Sequence, residues 1–216
     1  AIMNPELTLS LPWYQTACGC VDIMMHTMER YFTPNATMQI TDEIAEGLLR
    51  TVFENALILR DNPDDIDARA EVMWAGSLAH NGLTDCGNGG SDFASHALEH
   101  ELSAAYDVTH GAGLAAIWPS WARYVMDGCL DRFVQFALNV VGVDPEEYET
   151  AEEIAHAGIE GMEEFYHALE MPTNLHELGL DLSDDDLAER ARRCAANCGG
   201  SRGIAKVLYE EDMLEI

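Results

Sequence analysis

The sequence predicts an all-α protein with a multi-helix, bundle-like fold, and three observations support this prediction. Apolar residues recur at helical spacing along most of the chain. Strand-like alternation is almost absent, with one short possibility at 7–10. No internal repeat or low-complexity linker interrupts the helical pattern. We therefore expect residues 1–216 to form a single helical domain.

The predicted helices follow one another with short connections. Their expected ranges, in chain order, are 12–32, 41–62, 65–82, 91–106, 111–127, 129–142, 151–169, 184–197 and 202–212. In the second of these, Thr41 is the expected N-cap and a broad apolar stripe follows it. Pro63 then ends the helix, because proline cannot continue the backbone hydrogen bonds.

Capping residues mark the boundaries of two further helices. In LSDDDLAERARRCAANCGG, Ser183 is the expected N-cap, and three aspartates follow it at the positive end of the helix. Gly199 and Gly200 are expected to stop that helix. The glycine-rich stretch CGNGGSDF lies between two predicted helices, and Ser91 or Asp92 is expected to cap the second of them.

Composition and charge narrow the class of protein. With 48% apolar residues the chain can bury a core, which excludes an intrinsically disordered protein. Asp and Glu outnumber Lys and Arg by 39 to 11, so we expect no binding to nucleic acid. The six cysteines form no paired CxxC framework and are expected to be reduced thiols. The sequence shows neither a signal peptide nor a membrane-spanning run, and we expect a cytoplasmic protein without membrane contacts.

Several common catalytic motifs do not occur in the sequence. It contains no GxGxxG after a predicted strand, no GxxxxGK[ST] loop and no GxSxG. These motifs therefore give no support for nucleotide binding by this chain or for a serine hydrolase. The chain begins at Ala1, and NPELTLSLP resembles an internal segment, so we expect a fragment of a longer protein.

Asp22 and His26, in the stretch GCVDIMMHTMERYF, form the first candidate metal-binding pair. On a helix, two residues four apart lie on one face, separated by about 40°. Their neighbours are apolar, and a carboxylate in such surroundings is costly to bury without a charged or hydrogen-bonding partner. Arg30 is two turns away, so a bound cation is the favoured partner. Cys18 lies on the same stripe and is expected to be a small core residue.

The stretch ASHALEHELSAAYDVTHG contributes three histidines, His96, His100 and His110. Spacing alone favours His96 and His100 as a ligand pair and leaves the role of His110 open, near a predicted helix boundary. Together with Asp22 and His26, these histidines predict a divalent cation site. The remaining histidines have no partners at ligand spacing and are expected to be structural: His80, His156, His167 and His176.

Four stretches resemble the iron-containing (group III) alcohol dehydrogenases, in particular their butanol dehydrogenase-like branch. They are NPELTLSLP, GCVDIMMHTMERYF, MWAGSLAHNGL and DFASHALEHELSAAYDVTHGAGLAAIWPSWARY. The likeness runs from about residue 3 to the last helix and is sharpest over 17–32 and 91–124. It implies the helical, metal-binding C-terminal domain of a dehydroquinate synthase-like fold. The nucleotide-binding α/β domain that precedes it in the family is absent from this chain.

The resemblance assigns roles to five residues by matching positions. It implies that the metal ligands are Asp22, His26, His96 and His110. His100 resembles the family histidine beside the nicotinamide and the substrate, and is therefore implied to handle a proton rather than to bind the metal.

The resemblance also implies an activity for the full-length protein. The expected reaction is the reversible oxidation of a primary alcohol to an aldehyde with NAD or NADP, assisted by Fe2+ or Zn2+, in a homo-oligomer such as a dimer. Other family activities on 1,2-diols, glycerol or lactaldehyde stay open, as do an inactive fragment and a metal-dependent hydrolase. Four apolar residues could line an alcohol pocket, although ordinary helix packing is the favoured role: Met24, Met25, Trp118 and Trp121.

Overall fold

The computed structural model describes residues 1–34 and 38–216. The α-helices among these residues are α1 (Trp13–Tyr31), α2 (Gln39–Asp61), α3 (Ile66–His80), α4 (Ala94–Tyr106), α5 (His110–Val125), α6 (Leu130–Phe136), α7 (Ala151–Ala168), α8 (Asp184–Asn197) and α9 (Glu210–Glu215). A π-helical segment over Ala137–Val141 extends α6. Within the described residues, the only β-type pairing is an isolated bridge between Arg202 and Leu208. The all-α prediction is therefore confirmed.

The boundaries of α8 agree with the capping pattern of the sequence. The hydroxyl of Ser183 accepts a hydrogen bond of 3.2 Å from the backbone N–H of Asp186, so Ser183 is the N-cap. After the helix, Gly199 and Gly200 have φ values of +74° and +109°. Glycine adopts this left-handed backbone without a steric penalty, and the helix ends there as predicted.

The start of α2 differs from the prediction. The helix begins at Gln39, and the backbone N–H of Asp42 already donates a helical hydrogen bond to the carbonyl oxygen of Met38. Thr41 therefore lies inside the first turn, and its prediction as the N-cap is wrong. Its hydroxyl instead donates to the carbonyl oxygen of Cys86 at 2.8 Å, which connects α2 to the loop before α4.

Asp92 connects the start of α4 to the C-terminal segment. The helix begins at Ala94, three residues later than predicted, because Phe93 adopts a left-handed conformation with φ of 52°. The N-cap is Phe93 rather than the predicted Ser91 or Asp92, although one oxygen of the buried Asp92 carboxylate accepts the N–H of Ala94 at 3.1 Å. The other oxygen accepts the N–H groups of Ile204 at 2.6 Å and of Ala205 at 3.0 Å.

Two predictions near the chain ends are wrong. The possible strand at 7–10 is not formed, since Pro5–Thr8 is a short 3-10 helix with Asn4 as its cap. The helix predicted over 202–212 begins only at Glu210. Arg202 and Leu208 exchange two backbone hydrogen bonds of 2.9 and 2.7 Å across the turn between them. This pairing and the hydrogen bonds from Ile204 and Ala205 to Asp92 hold the segment in a non-helical conformation. Such contacts with distant residues can override the local helical propensity.

The helix α1 lies at the centre of the molecule and packs against α2, α3 and α5, while α4 packs against α5 and α8. Cys18 is 4% exposed and belongs to the core, as predicted. The four apolar residues considered for an alcohol pocket are fully buried in the same cluster, so their packing role is confirmed: Met24, Met25, Trp118 and Trp121.

A buried ion pair connects α6 to the start of α2 and the end of α1. The guanidinium of Arg132 donates to both carboxylate oxygens of Asp42, at 2.7 and 2.6 Å, and to the carbonyl oxygen of Tyr31 at 2.9 Å. Such a two-pronged pair has defined geometry, which fixes these three elements relative to one another. It also satisfies a carbonyl group at the end of α1 that has no partner within the helix.

Two further observations concern the described part of the chain as a whole. All six cysteines are free thiols, and four of them are buried. Among the described helices, none is both long enough and apolar enough to cross a lipid bilayer.

Candidate metal centre

The first pair of candidate side chains lies on α1. Asp22 and His26 are one helical turn apart, and His26 Nδ1 lies 3.0 Å from Asp22 Oδ1. The same nitrogen is 3.0 Å from the backbone carbonyl oxygen of Asp22. Their side chains are 29% and 18% exposed, because the adjoining faces of α1 pack in the core. The helix thus presents both groups on one partly buried face.

The first turn of α4 brings His96 to this pair. The backbone N–H of Asp92 donates to the carbonyl oxygen of Glu29 at 2.8 Å, which fixes the start of α4 beside α1. The side chain of His96 is 7% exposed, and its Nε2 lies 3.4 Å from Asp22 Oδ1. The structure therefore places residues that are about seventy positions apart in the sequence next to each other.

The turn between α4 and α5 places His110 close to α1. α4 ends at Asp107, whose left-handed φ of 56° reverses the chain, and His110 is the first residue of α5, at the predicted helix boundary. Gly111 allows α5 to approach α1 closely, since a Cβ at this position would lie 2.2 Å from the carbonyl oxygen of Cys18. As a result, His110 Nε2 lies 3.6 Å from Asp22 Oδ1.

Three imidazole nitrogens therefore surround one carboxylate oxygen. They belong to His26, His96 and His110, at 3.0, 3.4 and 3.6 Å from Asp22 Oδ1. Both Asp22 Oδ1 and His96 Nε2 are buried without a hydrogen-bond partner among the described residues. Buried polar atoms almost always have a partner, so this pair of adjacent unsatisfied atoms indicates a ligand that both can bind. A cation has that property.

The charges of the cluster shift the pKa values of its members. Burial raises the pKa of Asp22, but close contacts with two imidazoles and the charge of His110 outweigh burial and hold that pKa below its usual range. Burial lowers the pKa of His96, while Asp22 and Glu29 act more strongly and raise it to about 9. A hydrogen bond with Glu99 raises the pKa of His110, against the opposing effect of burial. The raised pKa values of His96 and His110 therefore favour positive charge beside Asp22.

His100 lies beside the cluster on its exposed side. Its ring stacks on that of His110 with centroids 5.3 Å apart, and it is 6.0 Å from the ring of His96. Burial lowers the pKa of His100, and the charge of Glu99 opposes that effect. The structure brings His110, rather than the spacing-favoured His100, into the group of ligand atoms that contains Asp22 and His96.

Three residues of the site were not predicted from the sequence. Glu29 and Glu99 each accept a hydrogen bond from the Nδ1 of one candidate histidine. Each of them bonds a histidine of another helix, so helical spacing along the sequence contained no signal for these contacts. His80, expected to be structural, lies with its ring centroid 4.0 Å from that of His26. Its position depends on how α3 packs, which no local pattern shows.

The chain belongs to the Fe-containing alcohol dehydrogenase family, since the model of the C-terminal part of that family matches residues 16–216. It is 40% identical to NADH-dependent butanol dehydrogenase A of Clostridium acetobutylicum, over 100% of this chain and 54% of that protein. It is 35% identical to the NADPH-dependent aldehyde reductase YqhD of Escherichia coli, over 84% of this chain and 46% of that protein. The chain spans about half the length of the curated relatives it matches.

Solved structures show the same fold. The structure of NADH-dependent butanol dehydrogenase A from Thermotoga maritima superposes with a TM-score of 0.89 at 34% identity, covering 98% of this chain and 53% of that one. A substrate- and cofactor-free form of YqhD from E. coli gives a TM-score of 0.90 at 30% identity, with 98% and 54% coverage. The family expected from the four sequence stretches is therefore confirmed, together with the helical fold of its C-terminal part.

The close approach of α5 to α1 can be tested at Gly111. In Gly111→Ala the new Cβ would overlap the carbonyl oxygen of Cys18, so α5 would have to move away from α1. We expect the free energy of unfolding, measured with urea, to fall by about 1–3 kcal/mol. Gly19→Ala is the matched control, because a Cβ at Gly19 meets no atom within 4 Å. That variant is expected to gain about 0.5–1 kcal/mol. Equal stability of the two variants would contradict the close approach.

Proposed function

We propose that this chain is the cation-binding half of an NAD(P)-dependent alcohol dehydrogenase that interconverts primary alcohols and aldehydes. The observation that carries the proposal is the convergence of three imidazole nitrogens on Asp22 Oδ1. Family membership supports the reaction class, because several relatives are named NADH-dependent butanol dehydrogenases. The activity of the full-length protein is part of the proposal, since the chain spans about half of those relatives.

The proposed cation ligands are Asp22, His26, His96 and His110. One carboxylate and three neutral imidazoles suit Fe2+ or Zn2+. The unsatisfied Asp22 Oδ1 and His96 Nε2 fit this role, because both are acceptors when the imidazole is neutral. The side chain of His110 is 36% exposed, so the cluster is open on that side, where a substrate oxygen can approach.

An aromatic ring lies against the cluster, where the proposed cation would assist hydride transfer. When bound, the cation polarises the oxygen of an alcohol or an aldehyde and so assists hydride exchange with a nicotinamide. The ring of Phe93 packs against two of the imidazoles, with its centroid 5.8 Å from that of His26 and 5.3 Å from that of His96. An apolar ring at this distance lowers the local polarity and so strengthens electrostatic interactions on its side of the site.

His100 is the proposed carrier of the alcohol proton. It is exposed, and its ring stacks on that of His110, so it lies between the cluster and the solvent. Burial lowers its pKa, which leaves the imidazole neutral near pH 7 and able to accept a proton. A positioned imidazole of this kind contributes to catalysis as a general acid or base.

Several details of the full-length protein are predictions on the same basis. They are the identity of the cation as Fe2+ or Zn2+, the choice between NAD and NADP, the particular alcohol, a homodimeric assembly and a cytoplasmic location. Relatives that match this chain include both an NADH-dependent and an NADPH-dependent enzyme by name. Activity assays should therefore supply both coenzymes.

Substitution of single histidines in the full-length protein separates cation binding from proton transfer. His26→Ala and His96→Ala are expected to lose both the bound cation and turnover, because each removes a ligand. His100→Ala is expected to keep the cation and to lower kcat by about 10²–10⁴-fold. Cation content is measured by plasma mass spectrometry after desalting, and turnover by nicotinamide absorbance with butanal.

The matched control is His156→Ala, an exposed histidine on α7 that is expected to change neither quantity. Cation content at the wild-type level in both His26→Ala and His96→Ala would remove the ligand assignment. Normal turnover in His100→Ala would remove its role in proton transfer and leave the ligand assignment intact.

Cation binding should release protons. With a pKa of about 9, His96 carries a proton at neutral pH, and the raised pKa of His110 acts in the same direction. A cation must displace these protons, so its affinity is expected to increase as the pH rises towards 9 and then to level off. Calorimetric titration with Zn(II) in two buffers of different ionisation enthalpy measures the release. Identical heats in the two buffers at pH 7 would contradict this expectation.

A further inference from the structure

Two buried glutamates lie directly behind two of the imidazoles that face Asp22. Glu29 accepts a hydrogen bond from His96 Nδ1, and Glu99 accepts one from His110 Nδ1. Both glutamate side chains are completely buried. In each histidine the opposite nitrogen, Nε2, is the atom that faces Asp22 Oδ1. The same arrangement, a buried carboxylate on Nδ1 with Nε2 facing Asp22, therefore occurs twice, with Glu29 on α1 and Glu99 on α4.

Glu29 holds His96 at two points. One of its carboxylate oxygens accepts the backbone N–H of His96 at 3.1 Å, and the other accepts the ring Nδ1–H. Because Glu29 is on α1 and His96 is in the first turn of α4, where backbone N–H groups lack helical partners, the carboxylate connects the two helices. Both the position and the rotation of the imidazole are thereby fixed.

Glu99 holds His110 in a comparable way. One of its oxygens accepts the ring Nδ1–H of His110, and the other accepts the hydroxyl of Ser103, which lies one turn further along α4. The carboxylate occupies space left by Gly113 of α5, where a Cβ would lie 2.6 Å from Glu99 Oε1. Three residues from two helices therefore keep this carboxylate in one place.

We propose that Glu29 and Glu99 are positioning residues that hold His96 and His110 with the proton on Nδ1 and with Nε2 directed at the cation. An imidazole that donates its Nδ1–H to a fixed carboxylate has only Nε2 available as an acceptor. The two carboxylates therefore select which ring nitrogen binds and restrict rotation of the ring. This inference rests on the proposed cation site.

The third imidazole provides an internal contrast. His26 Nδ1 lies 3.0 Å from the backbone carbonyl oxygen of Asp22, and its ring packs against that of His80. The carboxylate that contacts this Nδ1 is that of Asp22 itself, at 3.0 Å, and the described residues place no separate carboxylate against this ring as Glu29 and Glu99 do for the other two. Hydrogen bonds to glutamates thus hold His96 and His110. His26 is held by ring packing and by contacts within α1.

Substitution of the glutamates tests the proposal through affinity for Zn(II) alone. Glu29→Gln and Glu99→Gln keep the size of each side chain but remove its charge. We expect each to weaken Zn(II) binding, measured by competition with a chromophoric chelator, by about 10- to 100-fold. Glu101→Gln is the matched control, since Glu101 is also buried on α4 but faces Arg190, Arg193 and Asn197 of α8. It is expected to leave Zn(II) affinity unchanged.

A spectroscopic measurement on the wild-type chain decides the tautomers without any substitution. Long-range ¹⁵N–¹H correlation of the Zn(II)-loaded protein distinguishes a protonated from a metal-bound ring nitrogen. The expected result is Nδ1–H with Zn(II) on Nε2 for both His96 and His110. Binding through Nδ1 of either histidine would overturn the proposal. Because this measurement needs no variant, it remains decisive even if a glutamate variant fails to fold.

The possible results separate this inference from the cation site itself. If wild-type protein does not bind Zn(II) at these histidines, the proposed site fails and the inference fails with it. If wild-type protein binds Zn(II) but folded Glu29→Gln and Glu99→Gln bind it as tightly as Glu101→Gln does, the site stands and the positioning role is refuted. Weaker binding confined to the two site variants, with the expected tautomers, supports the role.

Discussion

The structure depends on a single buried carboxylate oxygen, Asp22 Oδ1, for which the protein supplies three imidazoles and no hydrogen-bond partner among the described residues. An ionised carboxylate is costly to remove from water unless positive charge lies close to it. The packing of α1 against three helices places this oxygen in partly buried surroundings. Phe93 and Asp107, both with left-handed backbone conformations, lie at the chain turns that direct α4 and α5 back to Asp22. These turns bring the imidazoles of His96 and His110 close to its carboxylate.

The distribution of charge around this oxygen suits exchange of protons for a cation. Asp22, Glu29 and Glu99 place three carboxyl groups within or directly behind the cluster, and Asp22 and Glu29 raise the pKa of His96 to about 9 against the effect of burial. The net charge of −28 also attracts cations to the molecule from a distance. Local and long-range electrostatics thus favour the same ligand.

The fold was largely predictable because helical periodicity and caps are local signals. Ser183 shows this, since its hydroxyl and the following aspartates start α8 without help from distant residues. The C-terminal segment shows the opposite, because hydrogen bonds from Ile204 and Ala205 to the distant Asp92 replace the predicted helix by a turn. For the site, spacing paired Asp22 with His26, but it favoured His100 over His110, whereas the structure groups His110 with Asp22 and His96. The position of His110 depends on the turn before α5, which local spacing does not show. The family resemblance was the source of its assignment as a ligand.

X-ray diffraction at the zinc absorption edge, from crystals of the chain grown with Zn(II), tests the central claim most directly. The proposed cation site requires one strong anomalous peak at about 2.0–2.2 Å from an oxygen of Asp22 and from one nitrogen each of His26, His96 and His110. Strong peaks confined to the surface carboxylates or to the cysteines, with none in contact with Asp22, would contradict it.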